Sequence, residues 1–245
     1  MPNEFIEAIK HHQTTFGLNL SDEKISLLND YYQLVQEHNE ILHLVAPCDE
    51  KEFATRHILE SLTMLEFLPN KTRFADIGTG AGLPAIPCLI VRDDLRGILI
   101  ESKAKKTGFL QKVLEKCHLE KRVKIVNKQF EEVRNFNISY VSCRALDKFT
   151  DKLPSILKWS GNCGLLFFGG NNLRESLQKN RLRFKEKLMP LSEQRFLFIS
   201  KKKPIISFLN LSNRFIFDTI FHYETQKRKV SENHRSRLSR KQNNL

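Results

Sequence analysis

The sequence predicts an α/β fold, with a doubly wound, mostly parallel sheet and an N-terminal helical cap. Three observations carry that expectation. From Arg73 onward, short apolar runs alternate with helical stretches, the pattern of a parallel sheet covered on both faces. The first of those runs leads into Asp76-Ile77-Gly78-Thr79-Gly80-Ala81-Gly82 and then Leu83-Pro84-Ala85-Ile86-Pro87, which read together as a strand, a glycine turn and a helix start. Before Arg73 the apolar residues recur at helical spacing instead.

In chain order, Ser21 is placed to N-cap a helix with Asp22 and Glu23 in its first turn, although Lys24 leaves the capping box incomplete. Ile25, Leu28, Tyr32, Val35, Asn39 and Leu42 then share one face. A second helix is expected over 55–68, with Ile58, Leu62 and Leu65 inward, until Pro69-Asn70 stops it. Strands are expected over 74–77, 97–101, 123–126, 140–143, 164–168 and 195–200. A helix over 103–117 has Phe109, Leu110, Val113 and Leu114 as its apolar face. Another over 148–159 contains Pro154, where a bend or break is expected. The stretch 205–223 is apolar and aromatic with a period ambiguous between helix and strand, and beyond Gln226 the chain reads as polar, basic and disordered. The predicted organisation is a helical cap over 1–70, a core over 71–203 and a basic, partly disordered extension over 204–245.

The composition narrows the function classes. At 245 residues the chain can hold one large domain, or a core domain with modest appendages. It has no run of 18 apolar residues, so no membrane span is expected, and the N-terminus lacks an apolar signal core. Five dispersed cysteines with no Cys-x-x-Cys pair argue for reduced thiols in a cytoplasmic protein and against a metal site or disulfide framework. A monomer is expected. Of the net charge of +12, the segment from Lys201 to Leu245 carries +8, from 11 Lys/Arg against 3 Asp/Glu. Such a field favours a polyanionic partner, as any solvated basic tail would.

The glycine turn is the centre of the chemical reading. A strand, glycine turn and helix N-terminus offer close backbone approach and free N–H groups to a nucleotide-like ligand. A dinucleotide fingerprint needs glycine at the sixth position from Gly78, where this chain has Leu83. Gly97-Ile98-Leu99-Ile100-Glu101 follows one helix and loop later, and an acid at the end of the second strand suits both ribose hydroxyls of such a ligand.

Glycines at alternate positions behind Asp76 resemble the first motif of S-adenosylmethionine (SAM) methyltransferases, and several further segments are similar to one family of them. Arg56-His57-Ile58-Leu59-Glu60-Ser61-Leu62 resembles an Arg-His-Ile-Leu-Asp-Ser-Leu signature, with Glu60 for Asp. The turn over 76–87 is similar to Gly-Thr-Gly-x-Gly-Leu-Pro-Gly-Ile-Pro, with Ala85 for one Gly. Leu99-Ile100-Glu101-Ser102-Lys103-Ala104-Lys105-Lys106, Glu131-Glu132 and Ser142-Cys143-Arg144-Ala145 complete the set. Over residues 31–203 the chain thus resembles the RsmG (GidB) family of bacterial 16S rRNA guanine-N7 methyltransferases.

That resemblance implies SAM as cofactor and the 16S rRNA of the small ribosomal subunit as partner. It places cofactor contacts at Gly78, Leu83, Phe130, Glu131 and Arg144. Gly80 and Gly82 belong to the same turn, and Glu101 and Ser102 fall on the ribose side. Phe130 either flanks the adenine or packs in the core. Arg144, the candidate catalytic residue, holds a cofactor carboxylate or an RNA phosphate. His57 reads as a structural histidine or an RNA contact. Two other readings are a SAM methyltransferase with a different acceptor and a non-catalytic RNA-binding protein on the same fold.

The chain departs from the family pattern at three places. Asn-Leu-Thr is replaced by His43-Leu44-Val45, a tryptophan by His38, and Phe167-Phe168-Gly169-Gly170 lacks the family's lysine before a glycine. The basic extension is expected to compensate for that lysine, an expectation that unchanged RNA affinity at low salt after removing the residues beyond Lys203 would refute.

Overall fold

The computed structural model describes residues 3–133 and 137–201, and the readings made for 204–245 lie outside them. The chain opens with α1 (Glu4–His12) and α2 (Asp22–Leu42). Ser21 caps α2, its Oγ accepting from Lys24 N at 3.3 Å. The buried face of α2 is Ile25, Leu28, Tyr31, Tyr32 and Val35. The helix ends where His43 takes a left-handed φ of 46°, and Asn39 Oδ1 accepts from Leu44 N and Val45 N at 2.9 and 3.0 Å. At His43-Leu44-Val45, then, the side chain of Asn39 secures the backbone.

The second helical segment starts earlier than the sequence suggests, because Asp49 caps it through Glu52 N at 2.6 Å. It runs through α3 (Glu50–Glu52), a π-helical stretch Phe53–Leu59, α4 (Glu60–Leu62) and a 3₁₀ turn Thr63–Phe67. Phe53, Ile58 and Leu62 are buried, and Phe5 stacks on Tyr32 with ring centroids 4.7 Å apart.

The sheet contains β1 (Arg73–Ile77), β2 (Arg96–Ile100), β3 (Val123–Val126), β4 (Tyr140–Arg144), β5 (Gly164–Gly169), β6 (Lys185–Leu188) and β7 (Phe196–Ser200). Its order is β3-β2-β1-β4-β5-β7-β6. The first five strands are mutually parallel, while β7 runs antiparallel to both β5 and β6. The covering helices are α5 (Ala85–Val91), α6 (Ala104–Lys116), α7 (Phe149–Ser160) and α8 (Asn171–Lys179). Pro154 sits within α7 without interrupting it. The carbonyl its missing N–H leaves unpaired belongs to Thr150, in the first turn, so little of the ladder is lost.

Strand residues alternate between two apolar layers. Phe74, Leu99, Leu166 and Phe168 face one layer, shared with α1, α2, α5 and α6. Ala75, Ile77, Ile98, Ile100, Val141 and Phe167 face the other, beside α7 and α8. The strand order reverses at β1, which lies between β2 and β4, so a crevice is expected outside the carboxyl ends of these strands.

Candidate active site

The turn after β1 occupies that crevice. Gly78, Gly80 and Gly82 all have left-handed φ values, of 62°, 57° and 96°. Gly78 N and Thr79 N donate to Ile100 O at 2.9 and 3.2 Å, which ties the turn to the end of β2. Gly82 N and Leu83 N donate to Thr79 O, Ile86 N donates to Gly82 O, and Gly80 N donates to Glu101 Oε2 at 3.0 Å. The free donors expected of a phosphate-cradling helix end are therefore corrected: at these positions the N–H groups already have acceptors within the protein.

Asp76 lies beneath the turn, fully buried. Its Oδ2 accepts from Thr79 Oγ1 at 2.5 Å and its Oδ1 from Ser142 Oγ at 2.7 Å. Burial pushes its carboxyl up to about 7, against the lowering effect of the two hydroxyls. From the cap, Tyr31 Oη donates to Ala81 O at 3.0 Å, so α2 fixes the turn from outside the sheet.

Gly78, Gly80, Leu83, Glu101, Ser102, Phe130 and Arg144 line one cavity of about 420 Å³. Glu101 is buried, and its Oε1 also accepts from Lys103 N at 2.9 Å. Phe130 is 3% exposed and meets Trp159 edge to face at 6.2 Å, so it is a core residue whose remaining surface faces the cavity. Two expected contacts lie elsewhere. Gly82 does not line the cavity: a Cβ there would lie 2.4 Å from Ile86 Cγ1, so its missing side chain makes room for α5. Glu131 is exposed in a short 3₁₀ turn, Phe130–Glu132, and is also absent from the lining.

A second part of the wall is ionic. Arg144, at the end of β4, donates from Nη2 to Arg56 O at 2.8 Å and Glu60 Oε2 at 3.3 Å, and from Nη1 to Ser61 Oγ at 3.3 Å. Its guanidinium lies 5.5 Å from the centroid of the Phe168 ring. Glu60 is 2% exposed, and its Oε1 accepts from Arg195 Nε at 2.7 Å, so one buried carboxylate joins two arginines. His57 lies along the same wall. Burial, followed by Arg144, Arg56 and Arg195, pushes its imidazole down to about 3 and keeps it neutral. Its buried Nδ1 has no hydrogen-bond partner among the described residues. Lys103, Lys106, Lys128 and Lys152 add cations to the lining. Sequence reasoning singled out neither Arg195 and Tyr31 nor these lysines; the local signal was the basic run that includes Lys103 and Lys106.

Among the described residues, no group of His, Cys, Asp and Glu is placed to hold a metal ion, and no helix is long and apolar enough to cross a membrane. The strand order, the glycine turn and the acid at the end of β2 define a doubly wound α/β protein with a pocket at its switch point. The family model described as rRNA small subunit methyltransferase G matches residues 24–203, and the chain belongs to that family.

A relative of that name in Pelotomaculum thermopropionicum is 38% identical over 116 residues, 46% of this chain and 48% of that protein. Another, in Neisseria meningitidis serogroup C / serotype 2a, is 30% identical over 164 residues, 67% of this chain and 76% of that protein. The match thus spans about half of the first relative and three quarters of the second. A solved protein of the NADB-Rossmann superfamily from Streptococcus agalactiae aligns with a TM-score of 0.49 at 14% identity, covering 71% of this chain and 85% of that one.

Proposed function

We propose that this chain is a SAM-dependent methyltransferase that modifies N7 of a guanine in the 16S rRNA of the small ribosomal subunit. The observation that carries the reading is the convergence of the turn at Gly78, the carboxylate of Glu101 and the guanidinium of Arg144 on one cavity, in a member of this family.

The residues suit a phosphate-free nucleoside cofactor. The turn's N–H groups are satisfied internally, as expected where no pyrophosphate must be held. Glu101 accepts one backbone N–H on each carboxylate oxygen, which leaves a lone pair on each for ribose hydroxyls. Leu83 and the edge of Phe130 supply apolar wall, and the unpartnered His57 Nδ1 awaits a polar neighbour. Gly78, Gly80, Leu83, Glu101, Ser102, Phe130 and Arg144 would hold the cofactor, which supplies an electrophilic methyl group when bound.

Guanine N7 carries an available lone pair and no proton, so its methylation needs no general base. The protein's task is alignment and exclusion of water. Arg144 is held by Glu60, Ser61 and the Arg56 carbonyl and so presents a fixed positive edge to a carboxylate or phosphate. His57, being neutral, adds no charge beside a base that becomes cationic. Cytoplasmic action on the small subunit and a monomeric state follow from the same reading.

Calorimetry tests the cofactor side. Wild-type protein is expected to bind SAM, and Glu101→Ala to bind it about tenfold or more weakly through loss of a charged acceptor. A wild-type protein that binds rRNA but not SAM would replace this reading with a non-catalytic RNA-binding role.

A further inference from the structure

At the amino ends of β1, β2 and β3, opposite the cavity described above, lies an open cleft of about 520 Å³ lined by Arg73, Arg96, Glu120, Lys121, Arg122 and Lys124 together with strand backbone. Five of those six side chains are basic. Arg122 serves the fold: its guanidinium donates to Arg92 O, Leu95 O, Leu89 O and Asp93 Oδ1. Arg73, Arg96 and Lys121 are exposed, and their side chains make no hydrogen bond or ion pair with another described residue.

Arg73 and Arg96 occupy the same register position on paired parallel strands. Neighbouring strands lie about 4.8 Å apart, so like-charged side chains at one register position repel each other, and an anion lying between them relieves that repulsion. Glu120, the one acid of the cleft, does not bridge either arginine.

We propose that this cleft binds backbone phosphates of the substrate RNA, on a segment distinct from the one that presents the target guanine. The inference rests on the rRNA reading given above and deepens it. The five residues of β1 separate cleft from cavity by about 16 Å at the usual rise per residue. Cleft and cavity open at opposite ends of the strands, so the segment held at the cavity is not the one that meets the cleft, and a folded RNA with two neighbouring segments supplies both. The cleft therefore makes the enzyme select a large folded RNA over an isolated hairpin.

The test uses the full chain as wild type and as the double variant Arg96→Ala/Lys121→Ala, with Arg73→Ala as an independent variant on the same face. Affinity is measured against salt for full-length protein-free 16S rRNA, for assembled small subunits and for a short hairpin carrying the target guanine. The double variant is expected to bind 16S rRNA about fivefold more weakly per lost phosphate contact at 0.1 M salt, with the slope of log K against log salt reduced by about one per contact. Hairpin binding, hairpin methylation and SAM affinity are expected to stay at wild-type values.

Unchanged 16S affinity and slope in both variants would overturn the proposal. An equal loss for hairpin and 16S rRNA would overturn it too, because the cations would then act as part of the general field. A loss confined to assembled subunits, absent with protein-free rRNA, would assign the cleft to an acidic protein surface instead. Wild-type protein that methylates neither RNA would sink the functional reading by itself, while the comparison of 16S affinities would still decide the cleft.

Discussion

The two walls of the cavity are built on opposite electrostatic plans. Beneath the glycine turn, a buried carboxyl at Asp76 is matched only by hydroxyls, from Thr79 and Ser142, and burial raises it to about 7. Behind Arg144, a lining residue at the end of β4, the equally buried Glu60 lies between two guanidinium groups, those of Arg144 and Arg195. The first arrangement ties the turn to β4 through side-chain hydroxyls, Thr79 above and Ser142 beside the carboxyl. The second fixes side chains, because it orients an arginine, while burial and then the neighbouring arginines keep His57 neutral. The difference is that one buried carboxyl is matched by neutral hydroxyls and the other by two cations.

Breaking the ionic wall is expected to have the largest effect. Glu60→Ala leaves Arg144 buried without its carboxylate, and unfolding by denaturant should show a loss of about 3–5 kcal/mol. On the glycine wall, Gly78→Ala must hold a side chain at φ 62° and displace Leu146, whose Cδ1 would lie 2.3 Å from the new Cβ. A loss of about 1–2 kcal/mol is expected there, with weakened SAM binding by calorimetry. Arg144→Lys keeps the charge but loses the planar fork that reaches Arg56 O, Glu60 and Ser61 together. Its methylation rate should fall more than its stability.

The smallest net effect is on pH dependence, where the two walls oppose each other. Asp76 is raised when folded, so its contribution is complete below about pH 4 and is lost as pH rises through about 7. His57 is lowered, so its contribution is complete above about pH 6.5 and is lost as pH falls toward 3. Wild-type stability should be comparatively flat between about pH 4 and 6.5. Asp76→Asn should make stability rise with pH across that window and His57→Gln should make it fall, as read from urea midpoints.

Much of the first wall was legible in the sequence, because a strand, a glycine turn and the next strand's acid form one local pattern. Gly78, Gly80, Leu83, Glu101 and Ser102 meet in the cavity for that reason. The second wall was less so: Arg195 reaches Glu60 across 135 residues, and Tyr31 reaches Ala81 across 50, contacts that exist only once the sheet has formed.

The fold shows the same division. The parallel strands, buried on both faces, stood out as apolar runs. By contrast β6, Lys-Glu-Lys-Leu at the sheet edge, is mostly exposed and carries the charges that protect an edge, so its sequence does not resemble a strand. The short helices α1 and α8 were missed as well, the latter because Asn171-Asn172-Leu173-Arg174-Glu175-Ser176-Leu177 buries only two leucines.

The most direct test of the central claim is a map of N7-methylguanine in 16S rRNA from cells with and without this protein, with Gly78→Ala and Arg144→Lys returned to the deficient cells. One guanine is expected to be methylated at N7 only where active protein is present, with partial restoration by the two variants. An identical methylation map in cells lacking the protein would contradict it.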